Sequence, residues 1–593
     1  MHYFKILFMS ILLCSQLASG SAHSSKSCRD DSQEMGTDTA DYIIVGLGTA
    51  GSVLARYLSD PVHGKFKNSV LVLEAGINRS DDPVVAEGLA FFAQNADELA
   101  YSSKYTITKL CPDNNFALVG GAASEQYSSG RLWFGSSAHN FFLDVRGSSD
   151  RWDDLAKAVG NRQWKYKRLL PGMKFLETFH GTTTQPDDRG KHGPLQISQV
   201  TPLLTPGLFT NAVSDVTGAP ILPDYNVPDG NTAVSTEQAY STPDFLLRSY
   251  GRDFLPPSIL QDDGTATDGR KLRVESNAFV HRVIFDGKKA IGVEYSKKDS
   301  EKTFVSYACK KVILCAGSPF SAAILQRSGI GPKDVLEQPA VNVEVLVDNP
   351  LVGTGLKEHY GILFAMTQPE NPSDQITENV FSYSDGRNFF APAGSGDNKR
   401  RFQAAYAPNL ALLPAGLLTP LGLTPTQNAI GGFCWYLRPQ SSGTAFIVDD
   451  SPFTQPDIRF MLYTDGDLSN PASDLSASVA AFNMIKAIAD EAGLTMLYPP
   501  PSHFSSQQQL AQDAGGLLNF SETSVTNHYT GTCPMGTNIS NSVISSKDLH
   551  VHEVEDLMVV DSSIYPFPET GNTAWQCYVA GLRGAKILGA DVP

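Results

Sequence analysis

No Cys-x-x-Cys pair and no cluster of histidines occurs in this chain of 593 residues, so the usual ligand spacings of a metal site are missing. There is no long basic run and no interleaving of aromatic with basic residues, and the formal net charge is -16. Nucleic acid is therefore a poor partner. Beyond the N-terminus no apolar stretch is long and unbroken enough to cross a bilayer, so no stable membrane span is expected. The eight cysteines are dispersed and make no disulfide framework, although Cys28 and Cys111 could pair in an oxidising compartment. A serine nucleophile elbow is also missing.

What is present is a large apolar fraction, 41 %, with 50 glycines and 36 prolines, which suits a turn-rich globular protein of two or more domains. The first twenty residues, "MHYFKILFMSILLCSQLASG", place one lysine before a short apolar core and end in small residues. They read as a cleaved secretory signal, with a single membrane anchor as the weaker alternative. Secretion or residence in an endomembrane lumen is the expected localisation. The sequons at Asn78, Asn519 and Asn538 fit an exported glycoprotein.

Residues 41–51 read "DYIIVGLGTAG". Tyr42 to Val45 is a buried strand, and Gly46, Gly48 and Gly51 have the GxGxxG spacing. A turn without side chains lets the backbone approach a pyrophosphate, which then meets the N–H groups of a helix starting near Thr49. A second strand, "SVLVLEAG", ends in Glu74, whose carboxylate can accept the ribose hydroxyl hydrogens of an adenosine and would repel a 2′-phosphate. A single fingerprint of this kind favours FAD over a flavin-plus-nicotinamide pair.

Four further blocks carry a resemblance. In "GRLWFGSSAHNFFLDVRGSSDRWDDLA", residues 130–156, Gly130, Arg131, Gly135, Ser136, Ser137 and Asn140 match a glycine-rich pattern, and Phe134 stands where a glycine is usual. "GSPFSAAILQRSGIGP" covers 317–332, and "NPLVGTGLKEHY" has Gly355 for a usual Asn and Glu358 for a usual Asp. The C-terminal block is "VVDSSIYPFPETGNTAWQCYVAGLRGAKIL". In this order the blocks resemble the glucose-methanol-choline (GMC) oxidoreductases, FAD enzymes. The resemblance implies an α/β FAD-binding Rossmann-like domain and a second α+β substrate domain, an antiparallel sheet plus helices. The FAD domain would be assembled from 38–190, 265–350 and 525–593, and the substrate domain from 191–264 and 351–524. The alternation in "KLRVESNAFVHRVIFDGKKAIGVEY" reads as two hairpin strands, and the segment resembles the one that in the family holds the adenine through backbone groups, here near Val280. The alternation in "GTAFIVDD" and "DIRFMLYTDG" fits the substrate-domain sheet, and "SASVAAFNMIKAIADEAG" one of its helices. Trp435 falls where relatives place a strand near the substrate.

The same resemblance assigns roles. A C-terminal helix beginning near Thr573 would point at the flavin or its diphosphate, with Asp561 near the ribityl chain. His528, in "TNHYTGTCPMG", and Asn572 would face the flavin N5 from the substrate side. A neutral imidazole can take the hydroxyl proton of an alcohol, and an amide can orient the oxygen without titrating. The expected reaction is hydride transfer from an alcohol CH–OH carbon to flavin N5, with electrons passed on to oxygen or a quinone-like acceptor. A hydroxynitrile lyase with non-redox FAD is the alternative, and a fatty acid photodecarboxylase a more distant one. His139, directly before Asn140, occupies the position at which some relatives link the flavin covalently; both a covalent link and non-covalent packing stay open.

Overall fold

The computed structural model describes residues 38–60, 68–86, 100–107, 123–199, 207–297, 300, 302–370, 380–384, 399–410, 418–463, 468–470, 473–517 and 526–593. The signal segment, Cys28, Cys111 and the Asn519 sequon lie outside the described residues. Cys309 is disulfide-bonded.

The chain opens with strand β1 (Asp38–Val45), helix α1 (Thr49–Ser59) and strand β2 (Ser69–Leu73). β1 is apolar on both faces, as a strand covered on both sides requires. After a first excursion that includes strand β3 (Ala233–Ser235), the chain returns as β4 (Lys271–Glu275), β5 (Ala278–Asp286), β6 (Lys289–Lys297) and β7 (Thr303–Leu314). It then builds β8 (Tyr360–Thr367), β9 (Val380–Ser384), β10 (Phe402–Ala407), β11 (Ala429–Tyr436), helix α2 (Asp474–Glu491) and β12 (Met496–Tyr498). Strand β13 (Leu557–Val559) and helix α3 (Ala574–Ile587) close the chain.

Two sheets organise these elements. The first has the order β5-β6-β7-β1-β2-β4, with β13 also bonded to β7; β1 is parallel to β2 and to β7. The second is antiparallel, in the order β12-β8-β11-β10-β9-β3. α2 covers one face of it: Leu475, Val479, Phe482, Ile485 and Ile488 recur at helical spacing and are buried, and the Ser473 side chain accepts from Ser476 N–H to cap the first turn. Each sheet has its own hydrophobic core. No described helix is long and apolar enough to cross a membrane.

Three expectations change. Lys271–Glu275 is not a hairpin strand but the parallel edge of the first sheet beside β2. Leu272 and Val274 alternate with more exposed neighbours, and a half-buried edge strand and a hairpin share that period. Asn277, with φ of 54°, turns the chain before the true hairpin β5–β6. Gly443–Phe446 and Asp457–Arg459 do not join the second sheet; Gly443–Phe446 pairs with Thr354–Leu356 on one side and Asp457–Arg459 on the other in a small sheet of their own. Tyr240, Tyr250, Phe254, Leu255 and Leu260, placed by sequence in the substrate domain, pack in the core of the first sheet.

Candidate active site

The glycine turn after β1 is built for close approach. Gly46 has φ of +101°, and a Cβ there would stand 2.5 Å from the Cys315 carbonyl oxygen. A Cβ on Gly51 would meet Gly46 O at 2.1 Å. The buried start of α1, at Thr49 and Ala50, carries no side-chain cap. α3 starts after Thr573 and likewise has no side-chain cap. The two helices pack closely because residue 581 is glycine: a Cβ there would lie 2.5 Å from Ala50 O. Each uncapped helix start leaves N–H groups and a positive dipole end that an anion can take.

The other predicted residues gather around this point. Glu74 ends β2 with its carboxylate accepting from Leu47 N–H and Gly76 N–H, each at 2.7 Å. Burial raises its pKa, and those two donors oppose the rise. The Ala278 N–H bonds Glu74 O, so the start of β5, with Val280 on it, adjoins the acidic strand end. Gly135, with φ of +54°, brings the 130–140 loop onto Gly48, where a Cβ would stand 2.9 Å from the Gly48 Cα. Phe134 takes the left-handed conformation expected of the glycine it replaces, φ 71°, and its ring turns into the core against Trp133 and Tyr250. Ser136 Oγ accepts from Gly130 N–H at 3.2 Å, and Arg131 is exposed. Arg248 clamps Asn140, donating to its Oδ1 and its carbonyl, each at 2.7 Å. Burial, helped by Arg248, lowers the pKa of His139 to about 4, so its ring is neutral. Asp561 accepts from Gly317 N–H at 2.9 Å and Ser321 Oγ at 2.6 Å, joining the 317–332 block to the C-terminal block.

His528 and Asn572 lie side by side, and the structure adds partners that sequence reasoning missed. Gln403 Nε2 donates to Asn572 Oδ1 at 3.3 Å, and Asn572 Nδ2 lies 3.2 Å from His528 Nε2. An amide NH₂ can only donate, so His528 Nε2 holds the lone pair and Nδ1 the proton. That proton points at His359 Nδ1, 3.0 Å away, with the two rings nearly perpendicular. Burial pushes His528 down to about 3 and His359 well below its ordinary value. Both rings are therefore neutral near pH 7. Glu358 braces the pair from behind: its carboxylate accepts from the backbone N–H of His528 and of His359 and from Thr526 Oγ1. The sequence signal for His359 was its place directly after Glu358 in "KEHY".

Comparison with known proteins agrees with this geometry. Models of the GMC oxidoreductases match residues 265–361 and 439–581. The chain belongs to the GMC oxidoreductase family. This GMC oxidoreductase is 28% identical over 568 residues to a 5-(hydroxymethyl)furfural oxidase of Methylovorus sp. (strain MP688), covering 91% of the chain and 96% of the relative. It is 28% identical over 579 residues to an oxygen-dependent choline dehydrogenase of Staphylococcus xylosus, covering 94% and 96%. Pyridoxine 4-oxidase from Mesorbium loti has the same fold, with a TM-score of 0.72, 24% identity and coverage of 92% and 98%. The GMC oxidoreductase is an FAD-dependent enzyme acting on the CH–OH group of donors. The glycine turn, the uncapped helix starts and Glu74 fit FAD's diphosphate and ribose.

Gly48 gives a direct test of that fit. A Cβ there would find nothing nearer than Cys315 O at 3.9 Å, so Gly48→Ala adds its methyl without a clash. The side chain would fill the approach to the helix start. Flavin content of the purified variant, read as the ratio of 450 nm to 280 nm absorbance, should fall well below wild type.

Proposed function

We propose that His528 is the base and Asn572 the orienting residue of alcohol oxidation in this enzyme. The observation that carries this is the directed chain of donors, Gln403 to Asn572 to His528 to His359, which leaves the lone pair of His528 Nε2 on the Asn572 side. An alcohol oxygen held by the Asn572 N–H places its own proton against that lone pair. Bound FAD supplies the acceptor for the hydride that leaves the carbinol carbon. As the O–H proton passes to Nε2, the carbon–oxygen bond becomes a carbonyl, and the imidazolium offsets the negative charge gained nearby. His359 keeps His528 in the required tautomer by accepting Nδ1–H.

Oxygen is the proposed electron acceptor, on the support of relatives named as an oxidase and an oxygen-dependent dehydrogenase. Anaerobic mixing with alcohols tests the first half: loss of oxidised-flavin absorbance is expected, whereas a lyase would leave the flavin oxidised. Mixing the reduced enzyme with oxygen or with a quinone then identifies the acceptor. Acid precipitation distinguishes the two states of His139, with yellow colour in the pellet for a covalent link and in the supernatant for packing alone.

Export through cleavage of the first twenty or so residues is the accompanying proposal. The N-terminal pattern and the disulfide at Cys309 support it, because disulfides persist in oxidising compartments. N-terminal sequencing of protein recovered from the medium or an endomembrane fraction should start near residue 21. A cytosolic chain beginning at Met1 would refute it.

A further inference from the structure

Glu358 is a buried acid that the resting site leaves without a cation. Among the described residues its carboxyl takes part in no ion pair. Its partners are neutral donors. Oε1 takes His359 N–H at 2.6 Å and Thr526 Oγ1 at 2.7 Å, and His528 N lies 3.0 Å from Oε1 and 2.9 Å from Oε2. Holding two backbone N–H groups needs no charge; a side-chain amide or a main-chain carbonyl would do it without the cost of burying an acid.

The surroundings accommodate this acid in both states. Ionised, it accepts the Thr526 hydroxyl hydrogen. Protonated, its own O–H donates to Thr526 Oγ1, whose hydrogen then turns to His359 O, 3.3 Å away. Burial raises the pKa to about 8, and the donors oppose that rise.

The neighbouring titratable groups are otherwise engaged. His528 and His359 are neutral. Arg151, on the helix Ser149–Ala158, adds positive potential at His359, and burial together with Arg438 lowers its own pKa to about 10. Lys357 donates to the carbonyls of Pro439, Gln440 and Ser441. Tyr360 gives its hydroxyl hydrogen to Asp474, and Tyr529 gives its own to Asn527. The cation that would match Glu358 is made during the reaction. When His528 Nε2 takes the alcohol proton, an imidazolium forms on the residue whose backbone the carboxylate already holds.

We propose that Glu358 is a positioning residue that acts by charge: as a carboxylate it is the counter-ion of the His528 imidazolium, and its ionisation gates flavin reduction. The inference rests on the alcohol-oxidising reading above. Glu358 itself exchanges no proton in the step, since the alcohol O–H proton goes to His528 Nε2 and the hydride to bound FAD. A carboxylate fixed beside the developing positive charge stabilises it in a dry site, and a protonated carboxyl does not.

The test follows anaerobic flavin reduction of holoenzyme by benzyl alcohol, choline and octanol from about pH 6 to about pH 9, a range that stays above both histidines and below Arg151. The limiting rate of wild type should rise at least ~10-fold, with a midpoint near pH 8. Glu358→Gln, checked for FAD content, should be flat and close to the low-pH rate of wild type. Glu358→Asp keeps the charge and should keep the rise, whatever its absolute rate. Infrared difference titration of the oxidised holoenzyme reads the ionisation without turnover. A C=O stretch of a protonated carboxyl should fade around pH 8 in wild type, and that component should be missing from Glu358→Gln. A flat wild-type profile, or infrared titrations that coincide in wild type and Glu358→Gln, overturns the proposal. So does a Glu358→Gln profile parallel to wild type, which is what a brace without charge would give. Failure of all three alcohols to reduce the flavin would instead overturn the alcohol reading, while the infrared titration still decides whether Glu358 ionises in this range.

Discussion

His528→Ala should keep its FAD and reduce it ~10²–10⁴-fold more slowly when mixed anaerobically with an alcohol, the usual range for a lost general base. The cofactor should stay because the groups that fit its diphosphate and ribose, the glycine turn, the starts of α1 and α3 and Glu74, do not involve the imidazole. The loss should fall on the limiting reduction rate more than on the apparent Kd, since the imidazole acts on charge that develops in the transition state. Asn572→Ala should be milder. It removes the donor that orients the alcohol oxygen and leaves the base in place, with Nδ1–H still held by His359. Wild-type reduction rates in His528→Ala would refute the assigned role. A variant purified without flavin would mean that His528 supports the cofactor site as well as the reaction.

The parts of the fold that local pattern controls were legible before the structure. A strand that is apolar on both faces, three glycines at fixed spacing and an acidic strand end describe β1, α1, β2 and Glu74 with no outside help. Period-2 alternation is less informative. It marked Lys271–Glu275, Gly443–Phe446 and Asp457–Arg459 correctly as strands, but a strand's partner is chosen by contacts distant in sequence. Phe134 shows the converse: the resemblance raised the question of whether it fits, and only the backbone at φ 71° and the ring's place in the core answer it. At the site, His528 and Asn572 were found through resemblance. His359 approaches His528 across 169 residues and Gln403 approaches Asn572 across the same separation; His359 is marked only by following Glu358 in "KEHY", and Gln403 sits in no motif.

The largest stability effect is expected far from the reacting atoms, at Arg189. This guanidinium is buried with three carboxylates, reaching Glu177 at 3.1 Å, Asp224 at 3.3 Å and Asp144 at 3.6 Å, while Arg146 pairs with Glu177 at 2.5 Å. Two cations against three acids in a dry place are stable only as a set, with Asn226 and Gln238 supplying further donors. Arg189→Met would leave Arg146 alone among the three carboxylates. The cost should be about 3–5 kcal/mol, the usual penalty for stranding buried charge, offset only in part by protonation of an acid. By contrast, removing the exposed pair of Lys333 with Glu337 through Lys333→Ala should be close to neutral. The cluster also reaches the cofactor site, because Asp144 accepts from Trp575 Nε1 at 2.6 Å in the first turn of α3. Loosening Asp144 therefore loosens the start of α3. Thermal unfolding followed by tryptophan fluorescence and by flavin release should show Arg189→Met shifted down in both signals, with flavin leaving at or before the fluorescence midpoint. If Arg189→Met instead matched Lys333→Ala, the charges would be better solvated than their burial implies, and the link from Asp144 to α3 would carry no weight in holding the cofactor.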